Sequence, residues 1–395
     1  MVAATWTFPA VIFSAVLIAW GAEAAQFLVS QGMALAILAW LQTLPEFAVE
    51  AVIAWEAGRK PELSHLMIAN LTGSLRLLVG LGWPMIYAVA AVSVWRREGR
   101  LLREIELEKE HAVEVFGLGV PLAYFFIIYF KTTLAWYDGV ILVGIYLAYL
   151  AVLNRIPPQS SEKIEDMEAV PRWILRKSRP VTISIVALLF LGGGLVLYFC
   201  AHPFLDSMLA LATTLGVSSF VFVQWVAPFL SEFPEKVSAI YWARKTSGAP
   251  MALMNMVSSN INQWTMLAAM LPFVFGWSRG ALTPIALDEH QRLELLLTIS
   301  QSLLGLLLLA NMKFSWHEAL GIFTLWLIQF LLSGQAVYIA DTVKIGVTIA
   351  YFSWSAARIL AALSRTEPLL AFPLFVQLLK KHWLQPERPP AVGEL

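Results

Sequence analysis

The chain has 395 residues, 59% of them hydrophobic and only 14% charged, with 27 basic and 27 acidic side chains and a formal net charge of zero. Soluble domains average about 25% charged residues, so an ordinary globular protein is excluded. The balanced charge also removes any bulk electrostatic case for nucleic-acid binding. Apolar runs of about 20 residues or more recur along the whole length, enough to cross a ~30 Å hydrocarbon core as helix.

The first run, Phe8 to Val29, has no Lys or Arg before it and lacks the basic leader of a secretory signal, so it reads as a retained span. Further spans are predicted at 32–57, 64–95, 112–130 and 133–153. After the loop PPQSSEKIEDMEAVPR come 181–201, 207–243, 248–276, 291–311 and 315–333. Asp341, Lys344 and Arg358 interrupt an eleventh candidate at 337–362, and the Pro-rich tail carries Lys380 and Lys381. The predicted fold class is all-α, a polytopic membrane protein. It divides into a first set of five spans (1–153), a connecting loop (154–180), a second set of five (181–333) and a C-terminal span and tail (334–395).

Lys and Arg set the orientation. The loop after span three holds Arg96, Arg97, Arg100, Arg103 and Lys109, and the loop after span five holds Arg155, Lys163, Arg172, Arg176, Lys177 and Arg179. Arg244 and Lys245 fall on that same side, whereas the opposite loops hold only Arg59, Lys60, Lys131 and Arg279. The positive-inside rule then places the N-terminus outside. No loop is long enough to fold as a regulatory domain. With both halves in one chain, this points to a prokaryotic plasma (inner) membrane.

Several residue types carry no site. The single cysteine, Cys200, excludes an intramolecular disulfide and reads as packing. The six histidines show no paired metal spacing, and His65 and His202 fall near predicted outer boundaries. Gly192, Gly193 and Gly194 read as a close helix contact, and the sixteen tryptophans as interface belts.

The chemistry lies in a duplicated stretch. Span two contains LQTLPEFAVEA and span seven VAPFLSEFPEKVSA, so Pro45-Glu46 and Pro234-Glu235 each fall in the second span of five. The spans that follow carry IANLTGSLRLL and LMNMVSSNINQ, in which Asn70 and Ser74 match Asn255 and Ser259 with the same spacing. Five is odd, so the second set enters the membrane with opposite orientation. Proline-interrupted helices at matching places in an inverted repeat point to a transporter site near the bilayer midplane. Each proline also frees the carbonyl four residues earlier, at Leu41 and Leu230, which must face protein, water or an ion.

Glu46, Glu50, Glu232 and Glu235 would together cost roughly 10–14 kcal/mol if they faced lipid, at ~2.5–3.5 kcal/mol each. A polar cavity is the better reading. Thr43, Asn70, Ser74, Ser231, Asn255, Ser259 and Gln263 add neutral oxygens, and an oxygen-only set suits hard cations such as Ca²⁺, Na⁺ or Mg²⁺. Glu50 lies one turn after Glu46 on the same face, in a supporting or proton-carrying position or else hydrogen-bonded near the outer interface. Glu23 is a weaker candidate toward the cytoplasmic end of span one.

LPEFAVEA with ANLTGSL, and SEFPEKVSA with NMVSSNI, resemble the two α-repeats of the calcium/cation antiporter superfamily, which includes sodium/calcium exchangers. The resemblance implies a 5+5 inverted repeat with four cation positions at its centre. It implies Glu46 and Glu235 as principal ligands, with Thr43 and Ser231 before the prolines, Ser74 and Ser259 on the next helix, and Gln263 four residues further on. It also implies alternating access by sliding of spans one and six.

This sequence departs from the pattern. Leu78 stands where the first repeat should have a ligand, Gln42 replaces a threonine, Glu232 a small hydroxyl, and Ser258 the glycine of the second Gly-Ser pair. Arg76 lies two residues after Ser74, and Lys236 follows Glu235. A fixed cation beside the site competes with a bound ion. Arg76 is read as a counter-ion for a carboxylate or as a group turned off the cavity. Glu232 is read as a ligand or as the partner of Arg76 or Lys236.

The expected function is therefore secondary active antiport of Ca²⁺ against Na⁺ or H⁺, without a cofactor beyond the transported cations and without enzymatic activity. Its partners are small inorganic cations and the bilayer. A proton-coupled exchanger without a Na⁺ site is the first alternative, and a non-transporting family member is the second. An intramembrane enzyme is disfavoured, because neither a Ser-His or Cys-His arrangement nor an aspartate pair is present.

Overall fold

A computed structural model describes residues 3–25, 27–28, 43–156, 167–245, 248–364 and 366–384. The first half of expected span two, with Leu41 and Gln42, lies outside them, as do 157–166 of the connecting loop and the tail from 385. Within them the first repeat runs α1 (Ala4–Ala25), α2 (Leu44–Arg59), α3 (Ser64–Leu77), α4 (Trp83–Glu98), β1 (Glu104–Glu106), α5 (Ala112–Lys131), β2 (Thr133–Leu134) and α6 (Trp136–Leu153). A short helix, α7 (Ala169–Leu175), leads into the second: α8 (Arg179–Leu215), α9 (Ser219–Ser231), α10 (Phe233–Ala243), α11 (Ala249–Asn262) and α12 (Ala268–Arg279). Then follow β3 (Ile285–Ala286), α13 (Glu289–Leu309), β4 (Lys313–Ser315) and α14 (Trp316–Leu332). The C-terminal part adds α15 (Val337–Leu363) and α16 (Ala371–Leu379). Seven helices among the described residues are long and apolar enough to cross a membrane.

Two expectations about span limits are corrected. Span six does not end near residue 201: α8 is 37 residues long and stops only at Gly216, which caps it in the left-handed conformation. At 1.5 Å per residue it is about 55 Å long, so it inclines across the apolar layer or projects beyond it. Span seven is not one helix over 207–243, because the chain breaks at Glu232 between α9 and α10. Pro234 stands in the first turn of α10, as Pro45 does in α2, where a missing N–H leaves no hydrogen bond unmade.

The repeat is written in local conformation as well as in sequence. A π-helical turn interrupts the third span of each half at matching positions, Leu78–Gly82 between α3 and α4 and Gln263–Leu267 between α11 and α12. Gly99 and Gly280 close α4 and α12 with φ of 67° and 74°, and Thr132 and Met312 turn the chain with φ of 60° and 64°. Asp138 and Glu318 take the same capping place, accepting from the backbone N–H of Ala135 at 2.6 Å and of Ser315 at 2.8 Å.

Strand pairing crosses between the halves. β1 pairs antiparallel with β4, and β2 with β3. An odd number of spans per half puts the connections after spans three and nine at one end of the bundle and those after four and eight at the other, and the two ribbons join those pairs. Helix contacts at the centre are close. A Cβ on Gly73 would fall 1.9 Å from the Gln224 carbonyl oxygen, and one on Gly80 would fall 2.2 Å from the Trp326 ring. Only Gly193 of the three expected glycines is a contact, against Ile18 and Ser14 of α1; Gly192 and Gly194 face open space.

The eleventh span, α15, is docked by charge. Lys344 of α15 pairs with Glu294 of α13 at 2.7 Å, and Arg358 of α15 reaches Glu318 of α14 at 3.6 Å. Both acids are buried, and leaving either without a cation would be costly.

Candidate cation site

The site is assembled where two helices, one from each repeat, begin. α2 and α10 both start at the molecule's centre with a Pro-Glu pair, so each points the positive end of its dipole inward. Glu46, Glu232 and Glu235 are all buried there.

Four side chains, two from each repeat, form its core. The Ser74 hydroxyl contacts a carboxylate oxygen of Glu46 and one of Glu232. The Gln263 amide donates to the same two acids, to Glu46 Oε2 at 2.9 Å and Glu232 Oε1 at 3.1 Å. Lys236 Nζ donates to the other oxygen of Glu232 at 2.5 Å. Glu232 is thus at once part of the cluster and the partner of Lys236. Oxygens without a donor surround this core: Glu235 Oε1, Gln263 Oε1 and Asn262 Oδ1 are buried and make no hydrogen bond among the described residues. Oxygens of these types are the kind a hard cation takes as ligands.

The remaining expected residues divide. Thr43, at the start of α2, accepts from Asn262 Nδ2 at 2.6 Å and joins the two repeats. The Ser259 hydroxyl approaches the Glu235 carboxylate without closing a hydrogen bond of normal geometry. Ser231 turns its proton onto its own helix, to the Ala227 carbonyl at 3.0 Å. Asn70 donates to Glu50 one turn away from the core. Asn255 is half-buried on α11, and Asn260 and Asn262 of that helix reach the first repeat, at the Leu75 carbonyl and Thr43. Asn262 was not among the sequence candidates; its signal was a third asparagine in NMVSSNINQ, one residue before Gln263.

Arg76 is not beside the site acids. It lies fully buried with Nη2 2.6 Å from Glu294 and its guanidinium 5.3 Å from the Trp225 ring centre. Gln224 donates to the same Glu294 at 2.9 Å. Of the two cations expected to perturb the centre, only Lys236 touches it. Glu294 was legible as an acid inside a predicted span, a rare and functional placement, yet its partners lie on three other helices. On the opposite side of the cluster, Ser238 of α10 donates to Glu23 of α1 at 2.9 Å.

Duplicated halves that each bring a Pro-Glu helix start to a shared set of buried carboxylates make the architecture of a secondary transporter, a multi-pass integral membrane protein. The chain belongs to the sodium/calcium exchanger protein family, whose pattern matches residues 1–154 and 185–335. It is similar to the crystal structure of the H⁺/Ca²⁺ exchanger CAX, with 30% identity, a TM-score of 0.84, and 96% of this chain and 91% of that one covered. The sodium-calcium exchanger NCX_Mj soaked with Na⁺ and Sr²⁺ is 17% identical over 83% of this chain and 96% of that one, with a TM-score of 0.54. Native YfkE is 15% identical over 86% and 89%, with a TM-score of 0.52. The last two likenesses are of fold alone. A comparison with curated protein sequences gives no match.

Proposed function

We propose that this antiporter exchanges Ca²⁺ for protons by alternating access at Glu46, Glu232 and Glu235, in a plasma (inner) membrane with its N-terminus outside. The observation that carries this is the hydrogen count at Ser74. One hydroxyl has one proton to give, yet it lies against carboxylate oxygens of both Glu46 and Glu232. A cation-free centre of this shape is stabilised by a further proton on one of the acids, so protons are natural occupants when Ca²⁺ leaves.

Ca²⁺ takes 6–8 oxygen ligands in flexible geometry. Glu46, Glu235 and the free oxygen of Gln263 supply them, with Ser74 and Asn262 adjacent and water completing the shell. Lys236 already holds one oxygen of Glu232, which leaves fewer oxygens for the several-ligand shell of Na⁺, whereas a proton needs only one. The 30% identity to an H⁺/Ca²⁺ exchanger supports the same pairing. α1 and α8 would be the sliding pair. They are joined by polar contacts, Ser14 Oγ to the Gly193 carbonyl at 2.8 Å and Thr7 to Ser207 at 3.3 Å, and can move together against α2 and α10.

The test is Ca²⁺ uptake into proteoliposomes under an imposed pH gradient, then under an imposed Na⁺ gradient, with Glu46→Gln and Glu235→Gln as controls. Flux that follows pH and not Na⁺, abolished in both variants, is the expected result. Flux driven by Na⁺ would replace protons by Na⁺ in the reading, and normal flux in either variant would remove the site. Neither ion binding nor flux, with the chain folded, would favour the non-transporting alternative.

A further inference from the structure

Glu50 of α2 and Asn70 of α3 are both buried inside the first repeat, with 0% and 1% of their surface exposed. Asn70 Nδ2 donates to Glu50 Oε2. The other two oxygens, Glu50 Oε1 and Asn70 Oδ1, are buried and make no hydrogen bond among the described residues. Several other buried acids have fixed cations: Glu294 has Arg76 and Lys344, Asp138 has Lys131, and Glu318 has Arg358. Among the described residues Glu50 has no such ion pair. An acid in that setting is neutralised by a proton or answered by a cation from outside the protein.

Packing does not account for the pair. The second repeat has Ala239 where the first has Glu50, counting from the Pro-Glu pairs, and its helices pack with that alanine buried. The location has a direction. Glu50 is one turn beyond Glu46 and Asn70 one turn before Ser74 on the antiparallel neighbour, so the two lie side by side about 6 Å from the core. They lie toward the end where Ser278 of α12 donates to the Trp55 carbonyl at 2.6 Å, the end that carries β3.

We infer that Glu50 and Asn70 form a second station for a hard divalent cation, through which the ion passes between the central cluster and the β2–β3 end. The inference rests on the exchange reading above. Two divalent ions at that separation repel strongly, so the stations are filled in turn rather than together. Stepwise sites of moderate strength let an ion enter a buried centre and leave it again.

The test is Ca²⁺ binding to the purified full chain by calorimetry, with rates by stopped flow. Glu46→Gln should keep a residual Ca²⁺ site about 100-fold weaker than the parent's, and Glu46→Gln/Glu50→Gln should lose it. Glu50→Gln alone should leave Kd within about 3-fold while slowing association and dissociation alike by about 10-fold. Asn70→Ser should shift the rates in the same direction, which covers the case in which one variant does not fold. Equal binding in the single and double variants, or unchanged rates in both Glu50→Gln and Asn70→Ser, overturns the station while leaving the exchange reading intact. A parent chain that binds no Ca²⁺ overturns both, and is told apart by that alone.

Discussion

Arg76 and Glu294 form an ion pair at 2.6 Å in which neither side chain has any exposed surface. Arg76 stands only two residues from Ser74, yet α3 carries the two side chains on different faces. Ser74 turns to the carboxylates, and Arg76 turns to α13 and the Trp225 ring of α9. Lys344 of α15 closes on the same acid. One buried carboxylate therefore holds together helices of both repeats and α15.

Glu294→Gln should strand Arg76, while Lys344 keeps Asp341 at 3.1 Å, and destabilise the protein by about 3–5 kcal/mol, the usual cost of leaving a buried charge unpaired. Lys344→Met should cost less, because Arg76 still answers Glu294. Thermal unfolding of the detergent-purified variants ranks them. A Lys344→Met variant less stable than Glu294→Gln would contradict this account.

Lys236 competes with any ion for Glu232. Lys236→Met should tighten apparent Ca²⁺ affinity by about 10-fold or more, since a charge-assisted hydrogen bond of ~1.5–3 kcal/mol no longer has to be displaced. Uptake measured against Ca²⁺ concentration at fixed pH checks it. An unchanged or weaker affinity would mean that Lys236 positions Glu232 for the ion instead.

Gln263 and Ser74 bridge Glu46 and Glu232 from opposite repeats, so Gln263→Leu and Ser74→Ala should each lower transport at least about 10-fold while leaving the fold intact, the loss of one to two charge-assisted contacts. Gln263→Leu copies what the first repeat has at Leu78. Transport at parental rates in Gln263→Leu would show that the second half does not need its extra ligand.

The glycines separate contact from bystander. Gly73→Ala would drive its Cβ against the Gln224 backbone oxygen, which cannot move aside, and should abolish recovery of folded protein. Gly192→Ala and Gly194→Ala meet nothing within 4 Å and should behave as the parent. Gly193→Ala presses on Ile18 and the Ser14 carbonyl, and should impair exchange through the α1–α8 contact. Size-exclusion yield and proteoliposome uptake read the two effects separately.

The sequence by itself determined the membrane class, the duplication and the acids. Composition is a sum over residues, and the Pro-Glu pairs and their Asn and Ser companions repeat at fixed spacing, so none of these needs a neighbour in space. It also exposed Glu232 and Lys236 as misfits, because charge inside an apolar run is visible one residue at a time. Only the tertiary structure decided where each charge went. Arg76 and Lys236 look equivalent in sequence, each within two residues of a site residue, but one faces α13 and the other Glu232. Helix rotation and a break at Glu232 set those directions. Asn262 reaching Thr43, the docking of α15 by Lys344, and the length of α8 were hidden for the same reason. Each depends on which elements meet across long separations in the chain, and hydrophobic periodicity carries no record of that.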